Sequence, residues 1–111
     1  MPDNETALTR EAAATMPDEC MTMAEVRRGV DATDRELFAL LERRFGYMRA
    51  AARIKQDRGE VRDEARKAAV IAAIREDAVQ AGLPARELAE IWEKLVEASI
   101  AYEFAEWDRI R

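Results

Sequence analysis

The chain has 111 residues, a length that suits one domain, and carries a net charge of −5. Apolar residues make up 49% and charged residues 37%, with only four Gly and three Pro, the profile of a protein built from long helices and not from a sheet. The acidic balance argues against nucleic acid and anionic membranes as partners, the single Cys20 excludes an internal disulfide, and the absence of histidine excludes a His-ligated metal, a Ser-His triad and a His general base.

Residues 1–20, "MPDNETALTREAAATMPDEC", are polar and show no sustained apolar period. They are expected to form a disordered tail before a domain at 21–111. They lack the apolar core of a signal peptide, and no run approaches the roughly 20 apolar residues that span a bilayer. A cytoplasmic protein is expected. Thr22 and Glu25 have capping-box spacing and start a helix. From there Val26, Val30, Thr33, Leu37, Leu40, Tyr47, Ala51 and Ile54 recur in steps of four and three, interrupted only at Arg44. This is a coiled-coil-like seam. Nothing in the pattern breaks it before Gly59, so the helix is expected to run for about 35 residues, or roughly 50 Å. A small monomer covers so long a helix poorly, which points to a dimer. Asp63 is a suitable N-cap for a second helix through Val70, Ile71, Ile74 and Ala78, ended by Gly82. Pro84 is expected at the first position of a third helix, which runs towards Trp107. The expected fold is all-α, with three helices in long-short-long order. No compact loop of metal-ligating carboxylates is present, so no metal site is expected.

Polar residues fall on the apolar faces. Arg44 and Lys55 are eleven residues apart, which returns them to one helix face about 16 Å apart. Bending towards each other, they suit the two ends of a small dianion. The alternative is that both snorkel, with packed stems and solvated heads. Arg27 lies about 25 Å from Arg44 along the same helix. It reaches such a pocket only in a second, antiparallel copy; otherwise it is a solvated surface residue. Asp63 and Arg66 fit an N-cap with an ion pair as well as a site. Ser99 and Glu103 share a face of the third helix, and a Glu there needs a cationic partner or a proton. Small side chains at Ala50, Ala51 and Ala52 leave room for a ligand. The set Arg27, Arg44, Lys55, Asp63, Arg66, Ser99 and Glu103 contains no nucleophile–base pair. It suits binding of a polyanion and stabilisation of developing negative charge.

The segments "AEVRRGVDATDRELFALLERR", "YMRAAARIK", "VRDEARK" and "SIAYEFAEW", with Arg27, Arg44, Lys55 and Arg66 in order, carry a resemblance. The chain resembles the all-helical chorismate mutases of the AroQ class, and within it the bacterial branch containing isochorismate-pyruvate lyase. The resemblance implies an intertwined homodimer with two sites, each receiving Arg27 from the other copy. It implies a small dicarboxylate substrate, chorismate or isochorismate, and no cofactor. Arg44 and Arg27 would hold substrate carboxylates, and Lys55 and a protonated Glu103 would be the two donors to the ether oxygen. Asp63 would meet the ring hydroxyl, Arg66 would support the pocket, and Ser99 would meet the ring carboxylate. The implied reaction is the pericyclic [3,3] rearrangement of chorismate to prephenate. Two departures stand out: Glu103 replaces the Gln of most bacterial members, and Lys67 stands where many carry a Glu. The short segment from Lys55 to Arg66 is as in the lyase branch. A second reading is therefore elimination of pyruvate from isochorismate to give salicylate. A reading of another class is a non-catalytic helical dimerisation or regulatory module, whose cations would be solvated.

Overall fold

A computed structural model describes residues 14–111, and the first thirteen positions of the expected tail lie outside the described residues. Among the described residues the secondary structure is entirely helical, as expected. Three α-helices, α1 (Met23–Ile54), α2 (Glu64–Ala81) and α3 (Ala85–Arg109), are joined by short turns. No helix among the described residues is long and apolar enough to cross a membrane. The chain divides into two compact units after Arg43.

In the first unit, Pro17–Glu19 forms a 3-10 turn ahead of α1. The Thr22–Glu25 capping box forms in full. The Glu25 amide donates to Thr22 Oγ1 at 3.2 Å, and Glu25 Oε1 accepts the Thr22 amide at 3.0 Å. Glu25 also accepts the Met21 amide and the Thr15 hydroxyl. These bonds, the Met21 amide foremost, hold its carboxyl below the usual range. Such a cap contributes about 1 kcal/mol to the helix start. The seam residues Val30, Leu37 and Leu40 are about half exposed, and Phe38 beside them is 64% exposed.

The second unit holds the end of α1 together with α2 and α3. Its core is Val61, Val96 and Ile100, with Val70, Trp92, Phe104 and Trp107 packed against them. Burying one such aliphatic side chain stabilises the fold by about 1.5–3 kcal/mol. The α1 seam stays uncovered here too, with Tyr47 66% and Ile54 70% exposed.

The element ends test the local rules. Asp63 caps α2 by accepting the Arg66 amide at 2.9 Å. Gly82 ends α2 at φ 71°, the left-handed conformation that glycine adopts without steric cost. Pro84 lies one position earlier than expected: it is the N-cap of α3, and its carbonyl accepts the Leu88 amide at 3.0 Å. A proline fits there because an N-cap needs a carbonyl, and its missing N–H would be unsatisfied in any case. Helix α1 ends at Ile54, not near Gly59. The cause lies downstream, where Asp57 and Glu60 form a second capping box around the 3-10 turn Arg58–Glu60. Glu60 accepts the amides of Gln56 and Asp57 and so draws the chain out of the helix.

Candidate active site

The end of α1 and the second half of α3 meet through two polar rungs. Arg44 Nη1 donates to Ser99 Oγ, and Ser99 Oγ donates to the Leu95 carbonyl at 2.7 Å. Eleven residues further along α1, Lys55 Nζ lies 2.8 Å from Glu103 Oε2. This contact is an ion pair whose angles fall outside hydrogen-bonding geometry, so Glu103 Oε2 keeps an unfilled acceptor direction. The Lys55 ammonium also donates a long, 3.5 Å bond to the Val61 carbonyl.

Helix geometry makes the two rungs converge. The α carbons of Arg44 and Lys55 are separated by about 16 Å of helix, while Ser99 and Glu103 are separated by about 6 Å. Both cations therefore lean inwards to reach their partners. The snorkelling alternative does not describe them. Ser99 is 3% and Glu103 4% exposed, whereas Lys55 keeps 29% of its side chain accessible. One end of the cluster is thus buried and the other open.

Charge is unbalanced. Burial lowers the Arg44 pKa from its usual value, and the nearby positive charge of Arg66 lowers it further. Lys55 meets the buried Glu103 carboxylate, while Arg44 has Arg66 as its charged neighbour and, among the described residues, no acid close enough to offset it. Such an arrangement favours an incoming anion. Arg66 itself is exposed.

The remaining expected residues are placed as follows. Asp63 serves as the α2 N-cap, and its Oδ1 holds the Arg66 amide. Arg27 belongs to the first unit and is exposed there. Ala50 and Ala51 are partly buried, but Ala52 is fully buried at 0% exposure. The small side chain at 52 therefore serves close packing and leaves no room for a ligand, which corrects the expectation for that position. Lys67 pairs with Glu93 at 2.6 Å and Glu97 at 2.8 Å. Glu97 is two residues from Ser99, or about 200° around α3, so Lys67 is drawn to another face of that helix. Its pKa is raised, first by Glu93 and then by Glu97.

Sequence reasoning missed a third tier. Trp107 Nε1 donates to the Lys55 carbonyl at 3.1 Å. Arg111 donates to the same carbonyl at 2.6 Å and to the Ala52 carbonyl at 3.0 Å. Arg58 makes a two-pronged pair with Asp108, at 2.9 and 3.2 Å, and lies over the Phe104 ring. The available signal was the four-residue spacing Ser99, Glu103, Trp107, Arg111, which marks one stripe of α3 and its extension.

A groove of about 680 Å³ in the first unit is lined by Thr15, Met16, Cys20, Val26, Val30, Thr33 and neighbours. Its charged lining residues are Asp34 and Glu36, so it disfavours a dianion.

Comparison with known proteins places the chain in a family. The chain is 26% identical over 95 residues to the isochorismate pyruvate lyase of Pseudomonas aeruginosa, a match covering 86% of this chain and 94% of that protein. Residues 26–104 match the family model described as chorismate mutase type II. With its all-helical fold and its cationic cluster, the chain belongs to the type II chorismate mutase family.

Proposed function

We propose that the protein is a chorismate mutase that converts chorismate to prephenate. The observation that carries this reading is the pair of converging rungs, Arg44–Ser99 and Lys55–Glu103, with Arg66 beside Arg44. They set an excess of positive charge inside an otherwise acidic chain. The rearrangement moves no proton to or from the enzyme. It needs the substrate held in its compact conformer, and it needs the ether oxygen stabilised as negative charge grows there. Arg44 and Ser99 suit the ring carboxylate. Lys55, held by Glu103, suits the ether oxygen. Arg66 adds a second positive charge beside Arg44 from the α2 end, and Asp63 orders that end by capping while its other carboxylate oxygen suits the ring hydroxyl. No step calls for a cofactor.

The uncovered α1 seam supports a homodimer, because contiguous apolar surface of this kind marks an interface. Arg27 would then enter the partner copy's site and hold the second carboxylate. Residues 21–111 form the catalytic domain in this reading, with 1–20 as a preceding tail.

A second reading has its own support. The P. aeruginosa relative, matched over nearly its whole length, is an isochorismate pyruvate lyase. The same pocket would then eliminate pyruvate from isochorismate to leave salicylate. One experiment separates the readings: incubate the protein with each substrate and quantify prephenate, salicylate and pyruvate. Prephenate from chorismate is expected. Equal salicylate and pyruvate from isochorismate, without prephenate, would establish the lyase instead. Conversion of neither, with no rise in Tm from an oxabicyclic dicarboxylate mimic of the transition state, would leave a non-catalytic helical module. The shared site has a separate test. Arg27→Ala and Lys55→Met proteins, each inactive, should regain activity when unfolded and refolded together, because one site of the mixed dimer is then intact. No recovery despite exchange would remove Arg27 from the partner's site.

A further inference from the structure

We propose that Arg111 and Trp107 are positioning residues for Lys55, which they fix through its main chain and not its ammonium. This rests on the reading of Lys55 as the donor to the reacting oxygen.

Lys55 occupies the exit of α1. Its amide makes the last bond into that helix, to the Ala51 carbonyl at 2.9 Å. A helix end leaves its final carbonyls without donors from the same helix, and unfilled ends fray. Here two of those carbonyls are filled by side chains more than fifty residues later. One guanidinium spans both, with Nη1 on Ala52 O and Nη2 on Lys55 O. The Trp107 indole N–H fills the second position on Lys55 O. Arg111 is itself held, because its guanidinium stacks over the Trp107 ring at 4.2 Å and donates to the Trp107 carbonyl at 3.4 Å.

The side-chain end of Lys55 meets Glu103, which belongs to the same stripe of α3. Glu103, Trp107 and Arg111 follow at intervals of four, so one face sets both ends of a long, flexible side chain. On the loop side, Arg58 pins the following turn to Asp108 and Phe104. A lysine carries four side-chain torsions, and its ammonium position is no better defined than its anchor. Displacements of about 1 Å in a catalytic group cost up to about a hundredfold in rate. The clamp supplies the definition that the solvent-open side of Lys55 does not.

The test uses full-length Arg111→Ala, Arg111→Lys and Trp107→Phe proteins, with Arg109→Ala as control. Arg109 makes a two-pronged pair with Glu106 and feels Tyr102, but none of the contacts described for it reaches Lys55, Trp107 or Arg111, so it should keep wild-type kinetics. Trp107→Phe keeps an aromatic ring against the core and under Arg111, and removes the N–H together with part of the indole. Arg111→Ala is expected to lower kcat about tenfold with KM changed less than about twofold, because the Lys55 donation that the clamp aims is made in the transition state. Trp107→Phe and Arg111→Lys should fall between this and the wild type. A KM effect with unchanged kcat, or an equal loss in Arg109→Ala, would overturn the proposal. A second readout needs no turnover. The chain has three lysines, so 15N-lysine labelling resolves the Lys55 ammonium by NMR. In Arg111→Ala its signal should exchange with water faster, and the Lys55 amide should lose protection. Both unchanged would overturn the clamp even if the wild type acts on neither substrate. That last outcome would sink the proposed function alone.

Discussion

The second unit contains two clusters made of similar residue types, with opposite results. On one face of α3, Arg62 pairs with Glu64 and Glu97, and Lys67 with Glu93 and Glu97. Carboxylates outnumber cations, every group has a partner, and solvent reaches most of them. Glu97 is held down to about 2, from 4.5, first by its bonds to Arg62 and then by Lys67. On the Ser99–Glu103 face, cations outnumber carboxylates and the carboxylate is buried. The desolvation of Arg44 goes unrelieved by any nearby acid and is worsened by Arg66. Residue type does not separate a surface network from a site. Charge balance and burial do.

Breaking the buried rung should have the largest effect. Lys55→Met strands the Glu103 carboxylate, which we expect to cost about 2 kcal/mol, less than a fully buried pair because Lys55 is partly solvated. Activity should fall by about a hundredfold or more, as when one donor to a developing oxyanion is removed. Adding Glu103→Gln should restore most of the stability and none of the activity, by urea denaturation and steady-state rates on the same samples. Recovery of both would mean that Lys55 is structural. Removing the other rung should matter less. Ser99→Ala takes away a hydroxyl that orients Arg44, and binding of a dicarboxylate mimic should weaken by about 1 kcal/mol, read by calorimetry. An unchanged affinity would detach Ser99 from the site. The surface cluster should respond least, and mainly to pH. A carboxyl depressed in the folded state stabilises it above 4.5, and that contribution disappears as the pH falls towards about 2. The small stability difference between wild type and Glu97→Gln should therefore close over that interval. It should also shrink in high salt. A difference that persisted in acid would mean that Glu97 acts other than by charge.

The fold was largely legible because its punctuation is local. Thr22 with Glu25, Asp63 and Gly82 each set an element boundary through bonds within four residues, and each was placed correctly from the sequence. The early end of α1 was legible in principle from Asp57 and Glu60, the same signal as at Thr22, but the apolar seam ran through it. For the site, helix periodicity put Arg44 and Lys55 on one face. It did not give Ser99 and Glu103 as their partners, since that pairing joins residues 55 and 48 positions apart. The placement of Ala52 was misread because periodicity does not distinguish an alanine that makes room for a ligand from one that lets two helices close. Lys67 was legible as a departure from the pattern of the family that the sequence resembles. The acids that hold it depend on how α2 lies on α3.

The guanidinium of Arg111 also bears on the field around the site. Aligned peptide dipoles in a helix as long as α1 place roughly half a negative charge at its C-terminal end, which is where Lys55 stands. Left bare, that pole and the Glu103 carboxylate would both work against an approaching dicarboxylate. Arg111 sets a full positive charge on two of the carbonyls that make up the pole. If Lys55 acts as proposed, the helix end that carries it is thereby made less repulsive to an approaching anion.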